Sequence, residues 1–470
     1  MLHRRSLLAT TACGFGSLAA ASLLGRWTSN SSLGNDVART DGLHFAARAK
    51  RVIFLFMQGG VSQVDSFDHK PLLEQRDGEM VEFVDAREFA NTGKVGSKQR
   101  IMKSPWKFQP YGQSGKMVSE LFPKMGEHVD RLAMVHSVHT EGVAHGPATL
   151  FLHSGSHNFI RPSMGSWIQY GIGSENENLP GFVSISPSIG NGGPRNYGNA
   201  FLPARYQGTP IGNAGDDALK IHFLNPVDGN LNRDRLDQLQ ALNRMQLQQR
   251  GTMDSELDAA IESYEMAWRM QSHAPELLDF SKETKETQEL YGLDRKETHS
   301  YGSKCLLARR LCEAGVRFVQ VNYGDNSANP AWDQHSNLPK HAEHALAVDQ
   351  PISGLLTDLA QRGLLEDTLV WWGGEFGRAP YAEKNGTGRD HNPGGFTMWL
   401  AGGGVRPGMS YGATDEFGHK AIENKVHMHD MHATILHQLG IDHEKLTYKH
   451  AGRDFRLTDV YGKVVHGILA

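Results

Sequence analysis

Short, continuous apolar runs recur along this chain, each stopped by glycine or polar residues. The first, Val52-Ile-Phe-Leu-Phe-Met57, ends at Gln58-Gly-Gly60, as expected of a strand buried on both faces that runs into a turn. Comparable runs predict strands at 132–135, 182–185, 316–321, 368–372 and 396–401. Between them, apolar residues at helical spacing predict helices over 118–131, 303–314 and 341–362. The last should kink or break at Pro351, whose ring removes a backbone donor. This alternation predicts an α/β fold, a mainly parallel central sheet with helices on both faces. Residues 232–291 differ, being rich in Gln, Glu, Asp, Met and Leu with few β-branched residues. They predict an all-helical excursion beside the sheet. The α/β domain is therefore expected over 45–470, with a helical insertion at 230–291.

The start of the chain follows another pattern. Met1-Leu-His-Arg-Arg-Ser-Leu-Leu is a charged segment, and no charged residue follows it through Leu24. Arg4-Arg5 before Ser6-Leu7-Leu8 resembles a twin-arginine export signal, with Leu7 where Phe is commoner. Residues 1–26 are expected to be that signal, and the polar, small-residue segment 27–44 a flexible leader. The protein is then periplasmic or at the cell surface. No later run reaches the ~20 apolar residues that a membrane span needs, so the mature chain is expected to carry none.

Composition narrows the choices. With 48 basic and 52 acidic residues mixed along 470 positions, a net charge of -4 leaves no electrostatic footprint for nucleic acid. The 24 histidines stand out, because imidazole is the commonest metal ligand. Three cysteines make no disulfide framework. Cys305 and Cys312 share a predicted helix face but lie ~10 Å apart along its axis, too far to bridge. They read as small buried apolar residues.

Four groups between Trp332 and His432 can carry chemistry. In extended chain, Asp333 and His335 of Trp332-Asp-Gln-His335 point to one side and can grip one ion, or else lie solvated in a loop. Trp371-Trp-Gly-Gly-Glu-Phe-Gly-Arg378 places Glu375 at the carboxyl end of a buried strand, where open α/β sheets hold ligands. A carboxylate there needs a partner. Either Glu375 is a metal ligand or catalytic group, with Arg378 free to clamp an anionic ester, or the two form a structural pair. Gly388-Arg-Asp-His-Asn-Pro-Gly-Gly395 puts Asp390 and His391 in a loop entering the next strand, as ligands or as an Asx turn beside an exposed histidine. In Val426-His-Met-His-Asp-Met-His432, Asp430 is a good N-cap, and Ile435, Leu436 and Leu439 follow at helical spacing. His432 then lies on a buried face, as a ligand or as a satisfied core residue, while His427 and His437 should be exposed. A carboxylate and imidazole set without cysteine suits Zn, Mn, Mg, Fe or Ca.

These residues resemble the DUF1501 family, which is related to the alkaline phosphatase and sulfatase superfamily. The carriers are Met57-Gln-Gly-Gly-Val-Ser-Gln-Val-Asp-Ser-Phe-Asp-His-Lys-Pro71, Leu306-Leu-Ala-Arg-Arg310, Gly315-Val-Arg-Phe-Val-Gln320, Trp332-Asp-Gln-His-Ser336, Gly374-Glu-Phe-Gly-Arg378, Gly388-Arg-Asp-His391 and His429-Asp-Met-His-Ala-Thr434. The resemblance implies an alkaline phosphatase-like fold and metal-assisted attack on a phosphate or sulfate ester. It makes Asp333 and His335 look like the Asp and His of one metal site. Glu375 falls where such enzymes place Asp-His, and His391 is similar to a later ligand. Two departures accompany it. Gln58-Gly-Gly60 stands where a ligating Asp is usual, so Ser62, Asp65 or Asp68 would have to substitute. His145-Gly-Pro-Ala-Thr-Leu-Phe-Leu-His-Ser-Gly155 looks like the sulfatase nucleophile segment, but with His145 at the nucleophile position.

The resulting expectation is an exported hydrolase that uses a divalent metal and an activated water on small-molecule or glycan phosphate or sulfate esters. Asp333, His335, Glu375, Asp390, His391, His432 and Asp65 are the expected metal residues. His145, Arg378 and Arg389 are the expected catalytic ones, the arginines stabilising developing negative charge. The competing expectation is a non-catalytic metal- or glycan-binding surface protein that retains the fold.

Overall fold

Every residue of the first apolar run is buried, and alternate side chains leave it toward two different cores. The computed structural model describes residues 43–83, 97–214, 219, 233–249, 255–383 and 386–470. The expected export signal, and all of the expected leader before residue 43, lie outside the described residues.

The main strands are β1 (Arg51–Met57), β2 (Leu132–His139), β3 (Phe182–Ile185), β4 (Thr209–Ile211), β5 (Phe318–Tyr323), β6 (Thr368–Gly373), β7 (Gly377–Ala382), β8 (Arg389–Asn392), β9 (Phe396–Ala401), β10 (Ser410–Tyr411) and β11 (Val426–His427). All but β7 and β8 join one sheet, in the order β10-β2-β9-β6-β1-β5-β3-β4, with β11 also paired to β2. Strands β6, β1, β5, β3 and β4 run parallel. Strand β9 is antiparallel to both β6 and β2, which leaves β2 pointing the same way as β1. The carboxyl ends of β1, β2, β5 and β6 therefore meet at one edge, together with the start of β9. Strands β7 and β8 form an antiparallel hairpin between β6 and β9 at that same edge.

The principal helices are α1 (His145–Ser154), α2 (Met164–Ile172), α3 (Arg233–Gln249), α4 (Ser255–Leu278), α5 (Lys296–Glu313), α6 (Lys340–Gln361) and α7 (Met428–Gln438). Ile53, Leu55 and Met57 share a core with Val370, Trp372, Leu306 of α5, and Ile352 and Leu355 of α6. Val52, Phe54 and Phe56 share the other with Trp371, Leu152 of α1, Trp167 of α2 and Ile435 of α7. Phe54 stacks on Trp371 across the two central strands at 3.8 Å. Helices thus cover both faces of a mainly parallel sheet. The excursion is tied to the first core through buried Met270. It is also held by Glu283, which bonds Arg309 at 2.7 Å while Arg309 reaches Asp358 at 3.0 Å.

Three local expectations need correction. Residues 118–131 do not form a helix. Lys116–Ser119 is a strand paired with Phe108–Tyr111, and a single turn, Pro123–Gly126, follows it. Val118, Leu121, Phe122, Met125 and Val129 are buried at helix-like spacing, yet Pro123 cannot donate to a carbonyl four residues back and its ring clashes there. Asp349 of α6 accepts from the Lys124 and Met125 amides at 2.8 Å each, fixing that turn against the helix layer. Helix α6, in contrast, continues through Pro351. Helix α7 begins earlier than expected, with His427 as N-cap and Asp430 closing a capping box from inside. Cys305 and Cys312 are both free, and burial pushes their thiols up, that of Cys312 to about 12.

Two core histidines set an acid limit. The His153 ring donates from Nδ1 to the Thr149 carbonyl at 2.7 Å, and the His432 ring from Nε2 to the Leu152 carbonyl at 2.8 Å. Burial lowers each to about 4 from the ordinary 6.5. The unfolded chain then binds protons more readily, so stability is complete above pH 6.5 and is lost as pH falls toward 4. We expect urea unfolding to report a loss of roughly 2 kcal/mol per histidine between pH 7 and pH 5. His153→Gln should flatten that slope, and an unchanged slope would refute the assignment.

Candidate metal centre

The loop after β1 is pressed between two others. Gly59 takes φ +113°, and a Cβ there would lie 2.7 Å from the Trp332 and Asp333 amide nitrogens, so only glycine fits. Its own N–H donates to both oxygens of Glu375, at 2.9 and 3.1 Å. Glu375, just beyond β6, is fully buried. One of the same oxygens accepts from Nδ1 of His145, the first residue of α1, at 2.6 Å.

Two more imidazoles are held alike. His391 of β8 donates from Nδ1 to the Val143 carbonyl at 2.8 Å, which ties the hairpin to the loop after β2. His335 donates from Nδ1 to Glu383 at 2.8 Å, with an Asp390 oxygen 3.9 Å from the same nitrogen. Each ring is thereby anchored through Nδ1–H and turns its Nε2 inward. All three Nε2 atoms converge on one oxygen, Asp333 Oδ1, at 3.2 Å from His145, 3.0 Å from His335 and 3.3 Å from His391. The Nε2 atoms of His335 and His391 are 3.0 Å apart. The His145 Nε2 is buried and without a hydrogen-bond partner.

Four acceptors this close repel one another unless a cation or protons lie among them. Burial pushes the Asp333 carboxyl up, but the three imidazoles and the Arg378 guanidinium outweigh it and hold the group well below the usual carboxylate range. Burial also lowers His335, yet its bonds to Asp333 and Glu383 prevail and raise it to about 9. Burial leaves His391 at about 4, so it stays neutral and ready to ligate. The donor set fits a divalent ion, and His145, Asp333 and His391 lie close enough to share one.

Sequence expectation and structure agree only in part on who stands where. Asp333, His335, His391 and His145 meet. Glu375, expected as a ligand, lies behind His145 at Nδ1, where it orients a ligand instead, while Asp390 forms with His335 and His391 a second group able to hold an ion. His432 bonds the Leu152 carbonyl and is a core residue. Asp65 is paired by both oxygens with Arg389, at 2.7 and 3.1 Å, and accepts from Ser62 Oγ at 2.5 Å. Arg389 also bonds the carbonyls of Ala379, Met102 and Lys103, and is fully buried. Arg378, equally buried, donates to the carbonyls of Gly59, Gly60 and Arg389 and to Asp333. Neither guanidinium is free to clamp an ester. Glu383 and the Val143 carbonyl were missed. Glu383 showed only as a carboxylate in the polar hairpin tip, and a carbonyl carries no sequence signal at all.

The Asp65–Arg389 pair supplies a test. Removing one partner strands a buried charge, so Arg389→Met should cost on the order of 3–5 kcal/mol in urea unfolding. Arg389→Met combined with Asp65→Leu should recover most of that loss. A double variant as unstable as the single one would contradict a purely structural pair.

A family described as "Protein of unknown function (DUF1501)" matches residues 49–469. Among curated proteins, none matches the chain. Solved structures similar to it include a protein of the alkaline phosphatase superfamily from Vibrio parahaemolyticus, at 10% identity and TM-score 0.35, covering 86% of this chain and 69% of that one. The sulfatase PsFucS1 from Pseudoalteromonas sp. is similar at 12% identity and TM-score 0.34, over 84% and 69% of the two chains. A TAB5 alkaline phosphatase mutant with Mg bound is similar at 13% identity and TM-score 0.30, over 79% and 96%.

Proposed function

The chain belongs to the DUF1501 family, and we propose that it is an exported, divalent-metal-dependent hydrolase of phosphate or sulfate esters. The observation that supports this reading is the convergence of three imidazole nitrogens on Asp333 Oδ1 at the carboxyl edge of the sheet. Asp333, His335 and His391 would hold the ion. A divalent ion, when bound, lowers the pKa of water toward neutrality and neutralises the oxygens of an anionic ester.

The chain's own groups supply the rest. The His335 side chain is 25% exposed, against 3% for Asp333, so the cluster opens to solvent past His335. A Cβ on Gly146 would meet nothing within 4 Å, so the first turn of α1 faces open space beside the cluster. A formylglycine-dependent sulfatase is disfavoured, because His145 replaces the precursor residue in the resembling segment. Export rests on Arg4-Arg5 and the uncharged segment behind it. Among the described residues, no helix is long and apolar enough to cross a membrane.

A second reading, a metal- or glycan-binding surface protein without turnover, is favoured by Gln58-Gly-Gly60 and by His145 at those two resembling positions. Full-length protein assayed with aryl phosphate and aryl sulfate esters separates the two. We expect turnover that a chelator abolishes and added metal restores, and that His391→Ala lowers by more than about 100-fold in kcat/KM. Metal-loaded protein that hydrolyses neither ester class would overturn the hydrolase reading in favour of the second.

A further inference from the structure

The supports behind the imidazoles carry a sharper statement about the centre. We propose that His145 binds a first-row transition ion together with Asp333 and His391, and that Glu375 is the positioning residue for His145. This rests on the metal-binding part of the proposed function and is independent of turnover.

His145 meets the same conditions as the other two histidines. Its Nδ1 is committed to a buried carboxylate, and its Nε2 is buried, unbonded and 3.2 Å from Asp333 Oδ1. A proton held on Nδ1 by a carboxylate or carbonyl is the usual arrangement of a metal-ligating histidine. His145 also opens helix α1, where the positive end of the helix dipole works against a cation. The buried Glu375 carboxylate offsets that penalty. With Gly59 N–H on both of its oxygens, it cannot turn away from the ring.

Spacing and chemistry indicate the class of ion. Ligands at ~2.0–2.2 Å from a small ion lie roughly 3–3.5 Å from one another. The separations here are 3.0, 3.0, 3.2 and 3.3 Å. Calcium needs six to eight oxygens at roughly 2.3–2.6 Å, and magnesium also prefers oxygen. Two imidazoles and one carboxylate suit Zn, Fe, Mn or Co.

A second group able to hold an ion, His335, Asp390 and His391, shares His391 with the first. Glu375 and Glu383 each hold an imidazole Nδ1, and Asp65 is spent on Arg389. Asp390 accepts from its neighbour's amide, His391 N–H, at 2.7 Å.

The test is a Co2+ titration of the full chain after chelator treatment, followed by visible absorption. We expect Co2+ binding that is displaced by Zn2+ and unaffected by a large excess of Mg2+ or Ca2+. Glu375→Gln should weaken Co2+ binding about 10- to 100-fold and shift the absorption bands, with metal-free thermal unfolding close to wild type. His145→Gln should weaken binding at least as much. X-ray absorption of Zn-loaded wild type, which does not depend on any variant folding, should count at least two imidazoles. Competition by Ca2+ or Mg2+, a count of fewer than two imidazoles, or Co2+ binding unchanged in His145→Gln would overturn the proposal. Protein that binds Co2+ in this way but hydrolyses no ester would support it while ending the hydrolase reading.

Discussion

A fully buried carboxylate at the end of the central parallel strand β6 is the constraint on which the site depends. Glu375 has no water to solvate it, and an unpaired carboxylate there would cost far more than the few kcal/mol by which domains are stable. Two neighbours satisfy it. The Gly59 amide comes from the loop after β1, and the His145 ring from the start of α1. Each of these segments is thereby set in place. Because Gly59 must pass against the Trp332 and Asp333 amides to reach Glu375, the loop after β5 is set as well. One buried charge thus brings the ends of three strands and one helix into register.

The two buried arginines extend that frame without joining the chemistry. Arg378 bonds the carbonyls of Gly59, Gly60 and Arg389, and spends its remaining contact on Asp333. Arg389 locks the turn at Asp65 to the β7–β8 hairpin. Their value lies in fixing backbone carbonyls that would otherwise be orphaned at a crowded sheet edge. The hairpin so anchored carries His391 and Glu383 to opposite sides of His335. The group most open to solvent is His335, in the loop between β5 and α6.

Electrostatics divides the histidines into two populations. His153 and His432 give a ring N–H to a backbone carbonyl inside the second core, where burial keeps them neutral. They are packing residues with an acid liability. His145, His335 and His391 also give up Nδ1–H, but their second nitrogens face a carboxylate and one another. What separates a core histidine from a ligand here is the atom opposite Nε2, not burial, since both populations are largely out of water.

Much of the framework was legible in the sequence. Runs such as 52–57, 368–372 and 396–401 are apolar on both faces, which only a doubly covered strand requires, and the sheet and its helices follow from that. Asp333, His335 and His391 were legible too, because polar residues of ligand type at strand ends are costly to keep without a use. Sequence reading failed where residues of the same type compete. Asp65, Glu375, Asp390 and His432 are chemically suited to ligate, and local spacing cannot say which partner each will meet. The pairing with Arg389, the turn of Glu375 toward the His145 Nδ1, and the bond from His432 to Leu152 are contacts between segments far apart in the chain. Likewise, residues 118–131 carry a helical period that Pro123 and the hairpin partner at 108–111 override. The chain alone determined which strands are buried and which side chains can bind a metal. Tertiary structure decided which of them converge, because ligation depends on the direction of individual lone pairs, and those are set by contacts across the fold.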